Sequence, residues 1–212
     1  MERWPDRIAR ALFGAVKRSR TLRGVVVDVT NTRPDIDTDR VFQRMDDALG
    51  LIEHYQPMYF RHLVRDLSRI IVQRYPCRGA YFPEQRACLV ELTFVVNPEF
   101  SIAQVAATML HEAMHARLDR CGVVFTRGIA ARHERFCRRA EVELGMVVPD
   151  GQPVVDRALA ALAAGDEDVA PAIDWDVARQ RVAQADLDAL QVPPWMKRTL
   201  ARRHGLDSDA RD

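Results

Sequence analysis

Apolar and polar positions follow two periods along this chain, and they sort it into elements. Val41, Met45, Leu49 and Ile52 recur at helical spacing, which predicts a helix from Thr38; a second helical stretch runs from Pro57 through Leu63 and Leu67. Arg69–Gln73 then turns to strand character. Before these helices, Gly24 leads into VVVDVTNT, a β-branched run closed by the turn-prone segment Asn31–Pro34. After them come a short strand over Arg78–Phe82, a turn over 83–86, and a strand over Ala87–Val96 with Val90, Leu92, Phe94 and Val96 on one face. Ser101-Ile102-Ala103-Gln104 has the form of a capping box and opens a helix expected to reach about Arg120, with Gly122 as its stop. A further helix is predicted from about Ile129 to Leu144. The alanine-rich remainder is helical in outline over 153–164, 174–190 and 194–204. At the other end, residues 1–24 read as a basic amphipathic helix with Ile8, Leu12, Phe13 and Val16 as its apolar stripe. The expectation is an α+β protein with three parts: the N-terminal helix 1–24, a main domain 25–148 and a helical extension 149–212.

Composition narrows the function classes. With 212 residues, 48% of them apolar and 29% charged, the chain can bury one sizeable core. No apolar run approaches the roughly 18 residues of a membrane span. A net charge of +1 gives no global case for a nucleic-acid partner. Any weak contact of that kind falls to local arginines, those of the first segment and Arg132, Arg135, Arg138 and Arg139, which serve equally well as a solvated face. Glu2 and Asp6 interrupt what would be the basic start of a secretory signal. Cys77, Cys88, Cys121 and Cys137 form no CxxC pair, so a zinc ribbon is not expected and the cysteines read as reduced thiols of a cytoplasmic protein.

The chemistry concentrates at residues 111–115, His-Glu-Ala-Met-His. Positions i and i+4 of a helix are about 40° apart and one turn along the same face, so two imidazoles placed there can grip one zinc ion. Glu112, beside the first of them, is placed to take a proton from a zinc-activated water that attacks an amide carbonyl. The surrounding helix is apolar around most of its circumference, and Gln104, Thr108, His111 and His115 fall on one stripe. Buried polar groups need partners, and a metal supplies them to both histidines.

A third ligand must come from elsewhere. Leu118 and Cys121 occupy the places where a metzincin continues with glycine and histidine, so that class is excluded. His133, Glu134 and Glu141 remain. If the following helix returns antiparallel, His133 lies about 6 Å along it, level with His115, while Glu141 overshoots by roughly 10 Å. His133 and Glu134 differ by about 100° around the helix, so one of them faces the metal; His133 is preferred, with Glu134 as the alternative. Cys137 reads as a small buried side chain rather than a ligand.

These segments resemble the SprT-like branch of the zincin metallopeptidases: ELTFVVNPEF, then ATMLHEAMHARL, then HERF after a loop. The resemblance spans roughly residues 68–145. His133 with Phe136 matches the family's downstream histidine segment, and Glu134 stands where glycine is usual. A gluzincin, whose third ligand is a downstream glutamate, would use Glu134 instead. What the resemblance implies is a zinc-dependent peptidase with a small mixed sheet above the HExxH helix, acting on protein or peptide substrates. It also implies an edge strand, Ala87–Val96 or Arg78–Phe82, that holds the substrate by backbone pairing. Tyr81 is a candidate oxyanion donor beside its more ordinary role as a packed aromatic. The competing expectation is a zincin-shaped binding or regulatory module in which the same metal is structural.

Overall fold

The computed structural model describes residues 17–123 and 126–169, with 177, 181, 182, 184, 185, 187, 188 and 190–198. A two-residue turn starts the sheet. Arg23 and Gly24 both hold positive φ, 48° and 84°, the combination that matches the twist of a tight hairpin. Such a φ is unfavourable for arginine, and three side-chain hydrogen bonds fix it: Arg23 donates to Asp46 at 3.1 and 3.2 Å and to Glu53 at 2.6 Å. Strand β1 (Lys17–Leu22) thereby folds antiparallel onto β2 (Val25–Thr30), with Leu22 opposite Val25.

Strand β1 corrects the expectation of a helix over 1–24, of which residues 1–16 lie outside the described residues. The arginines there suggested a solvated helix face. Instead they alternate along an exposed edge, where charge discourages pairing with other chains. Lys17 and Ser19 tie back to the buried Asp28.

Helices α1 (Thr38–Tyr55) and α2 (Pro57–Asp66) follow, α1 burying the expected Val41, Met45, Leu49 and Ile52. Strands β3 (Arg69–Gln73), β4 (Gly79–Phe82) and β5 (Ala87–Glu91) complete a five-stranded mixed sheet of order β1-β2-β3-β5-β4. Strands β2, β3 and β5 are parallel, and β4 is an antiparallel edge that pairs with β5 alone among the described residues. Val25, Val27, Val29, Ile70, Val72, Cys88 and Val90 form one face of the sheet within the core.

The strand expected over Ala87–Val96 stops at Glu91, and Leu92–Val96 is a short helix, α3. The Glu91 carboxylate causes the break: it accepts from the Phe94 backbone N–H at 2.7 Å and from the Thr93 hydroxyl at 2.6 Å, capping the new helix. Ser101 and Gln104 then form both bonds of the expected capping box, and α4 (Ile102–Arg120) runs through the core. Helices α5 (Ala130–Gly145), α6 (Gln152–Ala163) and α7 (Asp166–Val169) complete the elements up to 169. Between α5 and α6 the backbones nearly touch. A Cβ on Gly151 would stand 2.0 Å from the Gly145 carbonyl oxygen, so only glycine allows this hairpin.

Of the expected C-terminal helices, 153–164 corresponds to α6; 174–190 is described only in part, and residues 194–198 are helical. Among the described residues, no helix is long and apolar enough to cross a membrane. Cys77, Cys88, Cys121 and Cys137 are all unpaired thiols. Arg135 is tied to Asp166 and the Ala164 carbonyl, and Arg138 to Glu141, so two of the four α5 arginines already have partners.

Asp66 anchors the far end of α4. Its buried carboxylate receives Arg65 at 2.7 and 2.9 Å, with Arg120 at 3.3 Å and Arg117 at 3.7 Å. Burial alone would raise its pKa; the hydrogen bonds from Arg65 and the surrounding arginine charges hold it below the usual carboxylate range. A lowered folded-state pKa gives stability that is present above the unfolded value and lost as pH falls through it. Asp66→Asn is therefore expected to cost about 1–3 kcal/mol at pH 7, discounted for arginines that are partly in solvent. In urea titrations the gap to wild type should narrow below about pH 4; an unchanged gap at pH 3 would contradict this account.

Candidate metal centre

Helix α4 buries His111 and Glu112 and leaves His115 half-buried at its edge. One helical turn brings the two Nε2 atoms to 3.2 Å from each other. The other members of the expected polar stripe serve the helix itself: Gln104 completes the capping box, and the Thr108 hydroxyl donates to the Gln104 carbonyl at 3.1 Å.

Helix α5 packs against α4 and supplies the remaining groups. Glu134 presents Oε2 at 3.1 Å from His111 Nε2 and Oε1 at 3.3 Å from His115 Nε2. Against the expectation for His133, it is Glu134 that contacts both imidazole nitrogens. His133 is buried beside the site, its ring near-parallel to that of His115 with centroids 6.4 Å apart. The reason is rotational: the two residues lie about 100° apart on α5, and the docking angle turns the glutamate toward the pair. Phe136, its partner in the HERF segment, is 42% exposed.

Cys137 lies one turn beyond Glu134. Its Sγ and one nitrogen each from His111 and His115 are all within 4.8 Å of one another. Glu141, two turns beyond Glu134, places Oε1 at 2.7 Å from His111 Nδ1. The overshoot expected of Glu141 is its use: it meets the outer nitrogen of the more distant imidazole. A carboxylate this close favours positive charge on the ring behind the Nε2 that faces the site. Glu141 is itself held by Arg138 at 2.7 Å and by Arg157 of α6 at 3.0 Å.

The electrostatics mark the site as a place for positive charge. Burial disfavours a charged His111, but Glu134 and Glu141 on its two nitrogens outweigh it and raise its pKa to about 9. Burial pushes the Glu112 carboxyl up, with the two imidazoles opposing and Glu134 and Glu141 adding to the shift. Glu134 is pulled far down despite its burial, through its bonds to both histidines. The donor spacing fits an ion as well. Ligand bonds of about 2.0–2.2 Å in a tetrahedron keep donor atoms about 3.3–3.6 Å apart; the two Nε2 atoms stand 3.2 Å apart, and Glu134 meets each with a different oxygen, Oε2 at 3.1 Å from His111 and Oε1 at 3.3 Å from His115.

Strand β4 covers the Glu112 side of α4. A Cβ on Gly79 would stand 2.7 Å from Thr108 Cγ2 and 2.8 Å from Glu112 Oε1, so the edge strand rests on α4 at the catalytic candidate. Cys77, just before it, donates its thiol to the Gly79 carbonyl at 2.9 Å. The Tyr81 hydroxyl donates to Asp119 at 2.9 Å, which commits it to the C-terminal part of α4 rather than to the imidazole pair.

Compared with protein-family models, curated proteins and solved structures, the chain matches none.

Sequence reasoning missed the role of Glu141, although its seven-residue spacing from Glu134 is a signal for one helix face. It also missed Arg157, for which a single sequence holds no signal. Two outcomes are expected from this geometry. Glu134→Gln should weaken divalent-metal binding at least tenfold more than His133→Gln, by competition titration with a chromophoric chelator; equal losses would restore His133 as the candidate. Gly79→Ala should displace the Glu112 side chain or lift β4, lowering the urea midpoint by the equivalent of about 1–3 kcal/mol.

Proposed function

We propose that this chain is a zinc-dependent metallopeptidase of the zincin type. His111, His115 and Glu134 would hold the ion, and Glu112 would act as general base. The observation that carries the reading is the convergence of donors from α4 and α5, two Nε2 atoms 3.2 Å apart with one oxygen of the Glu134 carboxylate beside each, and the HExxH glutamate buried next to them. An antiparallel edge strand over that helix supports it too. A glutamate as third ligand draws the resemblance from the SprT-like branch toward the gluzincins. The substrate class is then a polypeptide, laid in extended form along β4.

When bound, zinc supplies Lewis acidity toward the scissile carbonyl and toward water. The chain's own residues do the rest. Glu112, held in a buried site that raises its pKa, takes the proton of the attacking water and returns it to the leaving amine. Glu141 places its carboxylate 2.7 Å from His111 Nδ1. Gly79 lets the edge strand approach Glu112, so a substrate carbonyl paired to that strand enters beside the base.

Cys137 favours a second reading. With its sulfur near both imidazoles, four protein ligands would close the site and make the metal structural. The two readings part at Glu112. Glu112→Gln should retain one metal per chain while peptide hydrolysis, followed with a quenched fluorescent peptide library, falls about 10²–10⁴-fold. Hydrolysis undiminished in that variant would remove the catalytic role. A metal-loaded wild type without hydrolysis, showing sulfur-to-metal charge transfer after cobalt substitution, would establish the structural site instead.

A further inference from the structure

We infer that the C-terminal helix α6 is a working part of the metal centre, and that Arg157 is a positioning residue that tunes metal affinity through Glu141 and His111. The inference rests on the metal-site reading above and extends it to a segment that the sequence presents as an appendage.

The path is short. Arg157 Nη2 donates to Glu141 Oε2 at 3.0 Å, and Glu141 Oε1 stands 2.7 Å from His111 Nδ1. Arg138, on the same helix as Glu141, donates to Oε1, the oxygen that His111 also meets. Arg157 takes the other oxygen. One oxygen held from two directions leaves a carboxylate free to pivot about it, whereas a donor on the second oxygen fixes the plane. Arg157 is thus the contact that fixes the plane of the Glu141 carboxylate, one oxygen of which stands 2.7 Å from His111 Nδ1. Glu141 is 1% exposed, so water does not replace a lost donor readily.

The helix that carries Arg157 is held independently. Val154 and Ala158 are fully buried on α6, and the Gly145–Gly151 approach sets the hairpin between α5 and α6. Arg157 sits between those two buried positions along the helix, on the side that faces α5. Removing its guanidinium therefore leaves the docking surface in place, and the two effects can be separated by experiment.

The test uses the full chain, stripped of metal with a chelator and titrated with zinc in competition with a chromophoric ligand. Wild type, Arg157→Met, Arg157→Lys, Glu141→Gln and the Glu141→Gln/Arg157→Met double variant are compared. Arg157→Met should weaken zinc binding about tenfold, and Arg157→Lys, which keeps a cation on the Glu141 side of α6, should recover part of it. Arg157→Met should add no further loss to Glu141→Gln, since the two act through one path. Val154→Ala, which loosens α6 without touching Glu141, is the structural control. If it weakens zinc binding as much as Arg157→Met does, the effect is general loosening and the inference is overturned. Unchanged affinity in Arg157→Met, or additive losses in the double variant, also overturns it while leaving the metal site standing. Failure of wild type to bind zinc removes the site itself, a separate result. Should Arg157→Met not fold, Arg157→Gln carries the same comparison.

Discussion

Negative charge buried beside two imidazoles is the constraint around which this fold is arranged. Glu112, Glu134 and Glu141 converge on His111 and His115; Glu112, Glu141 and His111 are buried, and Glu134 and His115 are partly so. Isolated carboxylates in such a place are very costly, so each must be paired, protonated or bound to a cation. The described residues meet the demand partly: Arg138 and Arg157 serve Glu141, and the imidazoles serve Glu134. The carboxylates on the two His111 nitrogens draw its pKa up to about 9, the direction expected of a site that favours positive charge. Helix α4 is secured at three points around this demand. The capping box fixes its start, the α5 carboxylates its middle, and the arginines around Asp66 its end.

Much of this was legible in the chain because local chemistry and tertiary structure agree. The Ser101–Gln104 box, the i, i+4 histidines and the apolar circumference of α4 each depend on residues a few positions apart, and each reads directly. The failures are equally specific. ACLVELTFVV is buried on both faces, so its alternation carried no information, and a buried carboxylate at Glu91 ended the strand where apolar periodicity continued. In KRSRTL, charge suggested a helix face, while the positive φ of Arg23 depends on Asp46 and Glu53 far along the chain. The choice between His133 and Glu134 turned on the angle at which two helices meet, which rise per residue does not report. Arg157 lies beyond reach for the same reason: its meaning comes from a carboxylate on another helix.

The division of the chain into a main domain and an appended helical segment also changes meaning in three dimensions. The segment begins with a backbone contact to the end of α5 so close that no side chain fits between Gly145 and Gly151. A few residues later its guanidinium reaches the carboxylate behind an imidazole. Sequence distance from the HExxH motif is therefore a poor guide to chemical distance from it.

The edge strand is only four residues long. At about 3.3 Å per residue it spans about 13 Å, and every second residue turns its backbone groups toward β5. A guest chain docked there would find two residues' worth of main-chain partners, a grip of about 2–4 kcal/mol before the entropy of ordering is subtracted. So short a ladder can align a polypeptide but not retain it. On the peptidase reading, discrimination among guests would then have to come from groups flanking the strand or from tethering at a distance, rather than from the strand itself.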